Sequence, residues 1–411
     1  MGLSFTLKLG LFAALVSYLA GPIGHLVQIT GVFLTPVPTV LGEGQGPIYI
    51  ADTVHCEDVH HYRPANLLFT ACEDHKSTRF SWFPPLGHMS PPGTRGSLHV
   101  VDPKTMKSTR LAFTNFEGPF VTHGVDIVED PKANAVYIFA VNHLPNPAYF
   151  EAGEPDGVHK ARSQIELFHH VLGSSTVQHV RSIYHPLVET PNDIYAESPV
   201  SFYVTNDHFY REGVMRMVED FWSSAKWSSI IHVQIDSLSK DSNVEASVAL
   251  QGLWNNNGLG HGRTDKEMII SSAVGGELYV STPHSNHTIE VQETIPFQTV
   301  TDNPSYYADP YRTDTDDASG FVVAGISQAV YLASNARNPD ATDASQVWYT
   351  RYLSDTGVWE KKLLFEDDGL RIRTASAAVL VPIEPKDDKK LAWLFVTGFM
   401  SESMIAVQVE L

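Results

Sequence analysis

Residues 190–207 read TPNDIYAESPVSFYVTND: an amide and an acid side by side, Asn192 and Asp193, followed by a strand-like run. Polar clusters of this kind recur. HCEDVHHY occupies 55–62, His123-Gly124-Val125 follows, and WNNNGLGHG and TVTDNPSYYADP occupy 254–262 and 299–310. Asp58 to Val125 is 67 residues, Val125 to Asn192 another 67, Asn192 to Asn257 is 65 and Asn257 to Asp302 is 45. A four-stranded blade with its loops takes about 40–60 residues, and radial repetition sets one end of every blade beside a central channel. Side chains far apart in sequence then meet on the axis.

The stretches between the clusters support that reading. NLLFTAC, GSLHVVD, AVYIFAVN, SSIIHVQID, GFVVAG and LAWLFVTG are short apolar runs rich in Val, Ile, Tyr and Phe, divided by Gly, Pro, Asn and Asp. They predict about twenty short strands. Helical periodicity is scarce, with GVMRMVEDFWSSA from Gly213 the best helix in the body. The fold predicted for residues 45–411 is all-β: a single six-bladed β-propeller, with a pair of sandwiches as the alternative. The closing run SMIAVQVEL and the early GPIYIAD both read as strands, so one blade can be completed from the two ends of the chain.

Composition narrows the partners. The chain has 47 Asp plus Glu against 28 Lys plus Arg, a net charge of -19, so no basic stripe is available to a nucleic acid. One Lys precedes an apolar run from Leu9 to Ala20, the length of a signal-peptide core, and polarity stays low to Phe33. A buried N-terminal helix is one alternative; otherwise residues 1–33 read as a signal peptide or as an uncleaved hydrophobic anchor. Either places the protein in the secretory pathway, extracellular or membrane-anchored, with residues 9–33 offering membrane association. Cys56 and Cys72 flank two strand-like runs; they are a disulfide or a pair of buried thiols, and export favours the disulfide. Asn286-His287-Thr288 is the single glycosylation sequon, which makes Asn286 the candidate acceptor.

Carboxylates gathered with amide oxygens form a hard-oxygen set of the kind Ca²⁺ accepts. The chain has no HExxH and no EF-hand loop, so such a site has to be assembled from distant segments. Neighbours such as Glu57 and Asp58 can face opposite ways and serve two ions. The same argument makes His60 with His61, and His169 with His170, poor zinc ligands. Ser163 and Ser272 lack a GxSxG elbow, and GLGHG lacks the strand–helix setting of a phosphate loop. Glu73-Asp74-His75 follows the opposing strand and reads as lying away from the channel.

In order along the chain, HCEDVHHY, THGVDIVEDPKANAVYIFAVNHLPNP, TPNDIYAESPVSFYVTNDHFY, WNNNGLG and TVTDNPSYYADP resemble the metal and active-site segments of the serum paraoxonase and arylesterase family, in a divergent, fungal-like form. The resemblance spans roughly 45–411 and implies two Ca²⁺ in the channel. A catalytic ion would take Glu57, Asn192, Asn257, Asp302 and Asn303. A buried structural ion would take Asp58, Asp193 and the backbone carbonyl of Val125. Asn257 is preferred to Asn255 and Asn256 because a Gly follows it. The implied activity is hydrolysis of small lactones and/or aryl esters. Ca²⁺ would polarise the carbonyl, with His123 as base and His143 relaying its proton, or with Asp302 as nucleophile. An ordinary imidazole pKa suits His123 to that role. Asp207-His208, part of one matching segment, is expected to support the floor of the site. The family's usual link to a C-terminal Cys is missing, since SMIAVQVEL has none. The alternatives are a non-catalytic calcium-stabilised binding propeller and a sugar-lactonase or strictosidine-synthase-like enzyme.

Overall fold

Alternating runs become strands because one face of each can bury apolar side chains while the backbone bonds laterally. A computed structural model describes residues 20–42, 46–91, 95–385 and 389–411. The first sheet is antiparallel in the order Val59–Tyr62, Leu67–Cys72, Ser97–Asp102, Lys107–Arg110. The second runs Thr122–Glu129, Ala135–Pro145, Ala161–Val171, Thr176–Ile183, with Ala112–Thr114 added in parallel at its outer edge. The third runs Pro191–Ser198, Ser201–Asn206, Ser228–Ile235, Val244–Leu253, and the fourth Asn256–His261, Met268–Ser272, Glu277–Pro283, Ile289–Pro296. Trp82–Phe83 and His88–Met89 pair as a two-stranded ribbon, and the last sheet has eight strands. Val300–Tyr307, Gly320–Ile326, Ser345–Leu353 and Val358–Asp367 form one half, and Ala375–Pro382, Leu391–Gly398, Ile405–Glu410 and Ile48–Tyr49 the other. The halves meet at the single parallel pair Asn303–Ala377. The arrangement is all-β and propeller-like.

Apolar layers lie between successive sheets. Phe69, Leu98, Val125 and Ile138 join the first and second, Phe139, Leu167, Ile194 and Phe202 the second and third, and Ile230, Leu259 and Ile270 the third and fourth. Val59 and Leu68 of the first sheet pack on Val379 and Phe395 of the last. Each such side chain, fully buried, contributes about 1.5–3 kcal/mol. The chain's last strand pairs antiparallel with its first, Ala406 opposite Ile48.

The N-terminal reading falls partly outside the described residues, which begin at 20. From there residues 20–29 are helical, and the segment docks on the body. Ile29 is buried, the His25 ring lies 5.7 Å from Trp254, and Thr30 O accepts from Val330 N. Among the described residues no helix is long and apolar enough to cross a membrane. The helix expected after Gly213 is present as Val214–Phe221, with Gly213 at φ 87° before it.

Candidate functional site

The inner strands carry the polar clusters, and a shared irregularity aims them. Pairing skips between Thr122 and Val125, between Pro191 and Ile194, between Asn256 and Leu259, and between Thr301 and Pro304. His123, Asn192, Asp193, Asn257, Asp302 and Asn303 all lie in these bulges. A bulge breaks strict alternation and re-aims side chains, which is why bulges gather at active sites. Two glycines permit the close approach of neighbouring strands. A Cβ at Gly124 would lie 2.3 Å from Asp193 Oδ1, and one at Gly258 would lie 2.6 Å from Asn303 Cα.

These side chains form the floor of a cavity of about 950 Å³ lined by His123, Asn192, Asn257 and Asp302, with Phe83, Asp207, Arg216 and Phe399 among its walls. Asn303 Nδ2 donates to both Glu57 carboxylate oxygens, at 3.0 and 3.2 Å, and His123 Nε2 stands 3.9 Å from Glu57. Glu57 and Asp58 do face different partners. Asp58 accepts from the N–H of Val59 and of Val125 and from His60 Nε2. Val125 thus turns the edge of its peptide toward Asp58. Asp193 accepts from Ile194 N and Leu259 N. Asn255 donates to Asp220 and Asn256 to Ser229 O; the amide oxygens of Asn256 and Asn257 both lack a partner among the described residues, and of these two only Asn257 lines the cavity.

The donor set fits a hard cation. The side-chain Oδ1 atoms of Asn192, Asn257, Asp302 and Asn303 are buried without hydrogen-bond partners among the described residues. Buried oxygens of this kind are costly unless something positive meets them. Burial, with Asp302 and Asp58 nearby, pushes the Glu57 carboxyl well above its ordinary range. Burial and the charge of Asp58 do the same to Asp302, and burial with Asp58 and Glu57 does so to Asp193. Acids that repel one another in a dry place, beside orphaned amide oxygens, suit Ca²⁺ better than a softer ion. Asp58, His60 and Asp193 also hold ligand atoms within 4.8 Å of one another.

His123 Nδ1 lies 3.0 Å from His143 Nε2, and His143 Nδ1 lies 2.8 Å from Ser163 Oγ. Ser163, which lacks an elbow, is therefore the end of a hydrogen-bonded chain through the two histidines. The ordinary imidazole pKa expected of His123 needs correcting. Burial lowers it to about 3, opposed by the Asp207 charge and aided by Arg79; burial, with His123 beside it, lowers His143 well below its usual value. Arg79 had no local signal in the sequence. It is fully buried, pairs with Glu73 at 3.3 Å and lies over the Phe83 ring at 4.0 Å. Glu73 therefore sits behind the site as the partner of the buried Arg79. Among the described residues Asp207 and His208 make no hydrogen bond to the floor set. They tie the wall to the helix Val214–Phe221, through Asp207–Arg216 at 3.2 Å and His208–Asp220 at 2.8 Å.

Cys56 and Cys72 are joined in a disulfide immediately before Glu57. Asn286 is exposed on a turn, its Oδ1 accepting from Thr288. His60 bonds to Asp58 and His61 to Asn66, and His169 bonds to Asp130 and His170 to Thr176 O, so each adjacent pair does split.

A channel of converging acids and amides inside a propeller-like fold is the class of site this chain carries. A family model described as Arylesterase matches residues 83–315, more than half of the chain, and the chain belongs to that family. Mouse serum paraoxonase/arylesterase 1 is 28% identical over 47% of this chain and 47% of its own length. Chicken serum paraoxonase/arylesterase 2 is 26% identical over 55% and 56%, and rabbit serum paraoxonase/lactonase 3 is 25% identical over 62% and 64%. The chain thus spans about half to two thirds of the curated relatives it matches. A protein of unknown function from Dyadobacter fermentans aligns with TM-score 0.49 and 12% identity, over 92% of this chain and 99% of that one.

Proposed function

We propose that the protein is a calcium-dependent hydrolase of small lactones and/or aryl esters on a six-bladed propeller. The eight-stranded sheet divides at its single bridge into two blades, and the apolar layer from Val59 and Leu68 to Val379 and Phe395 closes the ring. The observation that carries the chemistry is the set of four orphaned oxygens beside mutually repelling carboxylates, on the floor of a large cavity and next to His123. Glu57, Asn192, Asn257, Asp302 and Asn303 would hold one Ca²⁺; Asp58, Asp193 and the Val125 carbonyl would hold a second. Calcium supplies Lewis-acid stabilisation of a developing oxyanion. The names of the curated relatives, paraoxonase, arylesterase and lactonase, support this substrate class.

Within that reading, burial keeps His123 neutral at pH 7, so it has a lone pair for the attacking water. His143 receives the relayed proton, and Ser163 fixes the His143 ring. A base this depressed is weak, which leaves room for the rival route, in which Asp302, kept ionised by a bound Ca²⁺, would be the attacking group. The test is a lactone and aryl-ester panel run before and after a calcium chelator. Activity should vanish with chelation and return with calcium. A calcium-loaded protein that turns over no panel member would instead be a binding propeller. The disulfide beside Glu57 and the exposed Asn286 sequon support passage through the secretory route, which N-terminal sequencing of exported protein checks.

A further inference from the structure

Away from the channel floor, Glu197, His232 and His287 bring one potential ligand atom each to within 4.8 Å of the others. Glu197 ends the inner strand of the third sheet, His232 lies in that sheet's third strand, and His287 sits on the turn between the last two strands of the fourth. The cluster therefore straddles two neighbouring sheets. The His232 and His287 rings stack at 3.7 Å with only 7° between their planes.

Hydrogen bonding fixes which nitrogen of His232 is free. Ser201 Oγ donates its one proton to Glu197 Oε2 at 2.9 Å. It also lies 2.9 Å from His232 Nε2, so that nitrogen has to be the donor. The lone pair of His232 is then on Nδ1, which makes no hydrogen bond among the described residues. A single hydroxyl thus orients both a carboxylate and an imidazole, the arrangement that positions ligands around a metal. His232 is buried, Glu197 is open to solvent and His287 is partly so. This combines a rigid anchor with a route of entry. His287 is held at φ 64°, an uncommon backbone for a residue other than glycine.

We infer that Glu197, His232 and His287 form a second metal site, separate from the channel, for a divalent transition ion such as Zn²⁺. Two imidazoles and one carboxylate are a nitrogen-rich set that Zn²⁺ takes and Ca²⁺ does not favour. Rotation of the His287 ring about its soft χ2 would unstack the pair and let the two imidazoles converge on one ion. A bound ion would clamp the third sheet to the fourth.

The test uses the full chain with calcium in excess. Equilibrium dialysis against Zn²⁺ is expected to load a zinc equivalent that His287→Gly weakens at least tenfold. Glycine suits the left-handed backbone at 287, so this variant should fold as well as the wild type. Glu197→Gln should weaken the same equivalent. Zinc should also raise the Tm of the wild type and not that of His287→Gly. Equal zinc uptake by wild type and His287→Gly, or no uptake by the wild type, overturns the site.

Discussion

The two ends of the channel both bury acids, and they treat them in opposite ways. At the far end Asp126 lies beside a cavity of about 140 Å³ lined also by His60, His261 and Tyr306. Its oxygens accept from Ile127 N, Ala196 N and His261 Nε2, with His60 Nδ1 at 3.3 Å. Burial alone would raise its pKa, but His261 and His60 hold it below the ordinary value. At the mouth, where the channel meets the floor of the large cavity, Glu57 and Asp302 are raised by burial and by neighbouring acids, and the Oδ1 atoms of Asn192, Asn257, Asp302 and Asn303 have no partner among the described residues. The fold can compensate a buried acid with its own groups, and at the mouth it does not. The difference marks where an external cation belongs.

Breaking the mouth should give the largest effect. Asp302→Ala is expected to bring turnover of every tested ester and lactone below detection while far-UV circular dichroism stays native. Retained hydrolysis would mean that the uncompensated acids are not the reactive set. His123→Gln comes next. It should keep calcium affinity and lower kcat by about 10²–10⁴-fold if the imidazole acts as base. A near-normal rate would move the chemistry to Asp302. The far end should fail through stability instead. Asp126→Asn takes the carboxylate from His261, which is partly exposed, and leaves His60 with Asp58 alone, so the loss should fall toward the low end of the about 3–5 kcal/mol that breaking a buried pair costs. That loss should appear equally with and without calcium. Asp58→Asn should be milder and calcium-dependent, removing the roughly 2.7 kcal/mol that an ion at a hundred times its Kd adds. Urea titrations of both variants, with calcium and with chelator, separate the two behaviours.

What the sequence made legible follows from the range of each interaction. Strands such as Ile405–Glu410 and Gly320–Ile326 are written in local alternation, and the helix after Gly213 in local periodicity. The clusters at 57, 123, 192, 257 and 302 were legible because they recur, each within an inner strand or just before it. The bulges that aim them were not, since a bulge is a property of two paired strands and leaves no reliable mark on one. Arg79 was missed for a similar reason: its role depends on Glu73, Phe83 and Thr122 O closing around it. Asp126 and His261, 135 residues apart, share nothing in sequence that announces their hydrogen bond. Burial is equally non-local, and it is what lowers His123 from the imidazole value expected of it.

The mouth also holds one self-compensated pair, and it should give the smallest effect. Asp207 is held low by Arg216 and His208 against the cost of burial. Burial works against protonation of His208 too, but Asp207 raises its pKa from 6.5 to about 9. A raised folded-state pKa means that the native protein binds more protons than the unfolded chain between those two values. The stabilisation is therefore complete below about pH 6.5 and fades as pH rises through about 9. Between pH 6.5 and 8.5 the loss should be about 2 kcal/mol. His60 moves the same way beside Asp58, so the wild-type curve sums two contributions. His208→Gln isolates one of them. Its stability should be lower than wild type at pH 6.5 and converge on it by pH 9. Parallel wild-type and His208→Gln curves across that window would show that His208 is not charged in the native state. The Asp207 carboxylate would then rest on Arg216 alone.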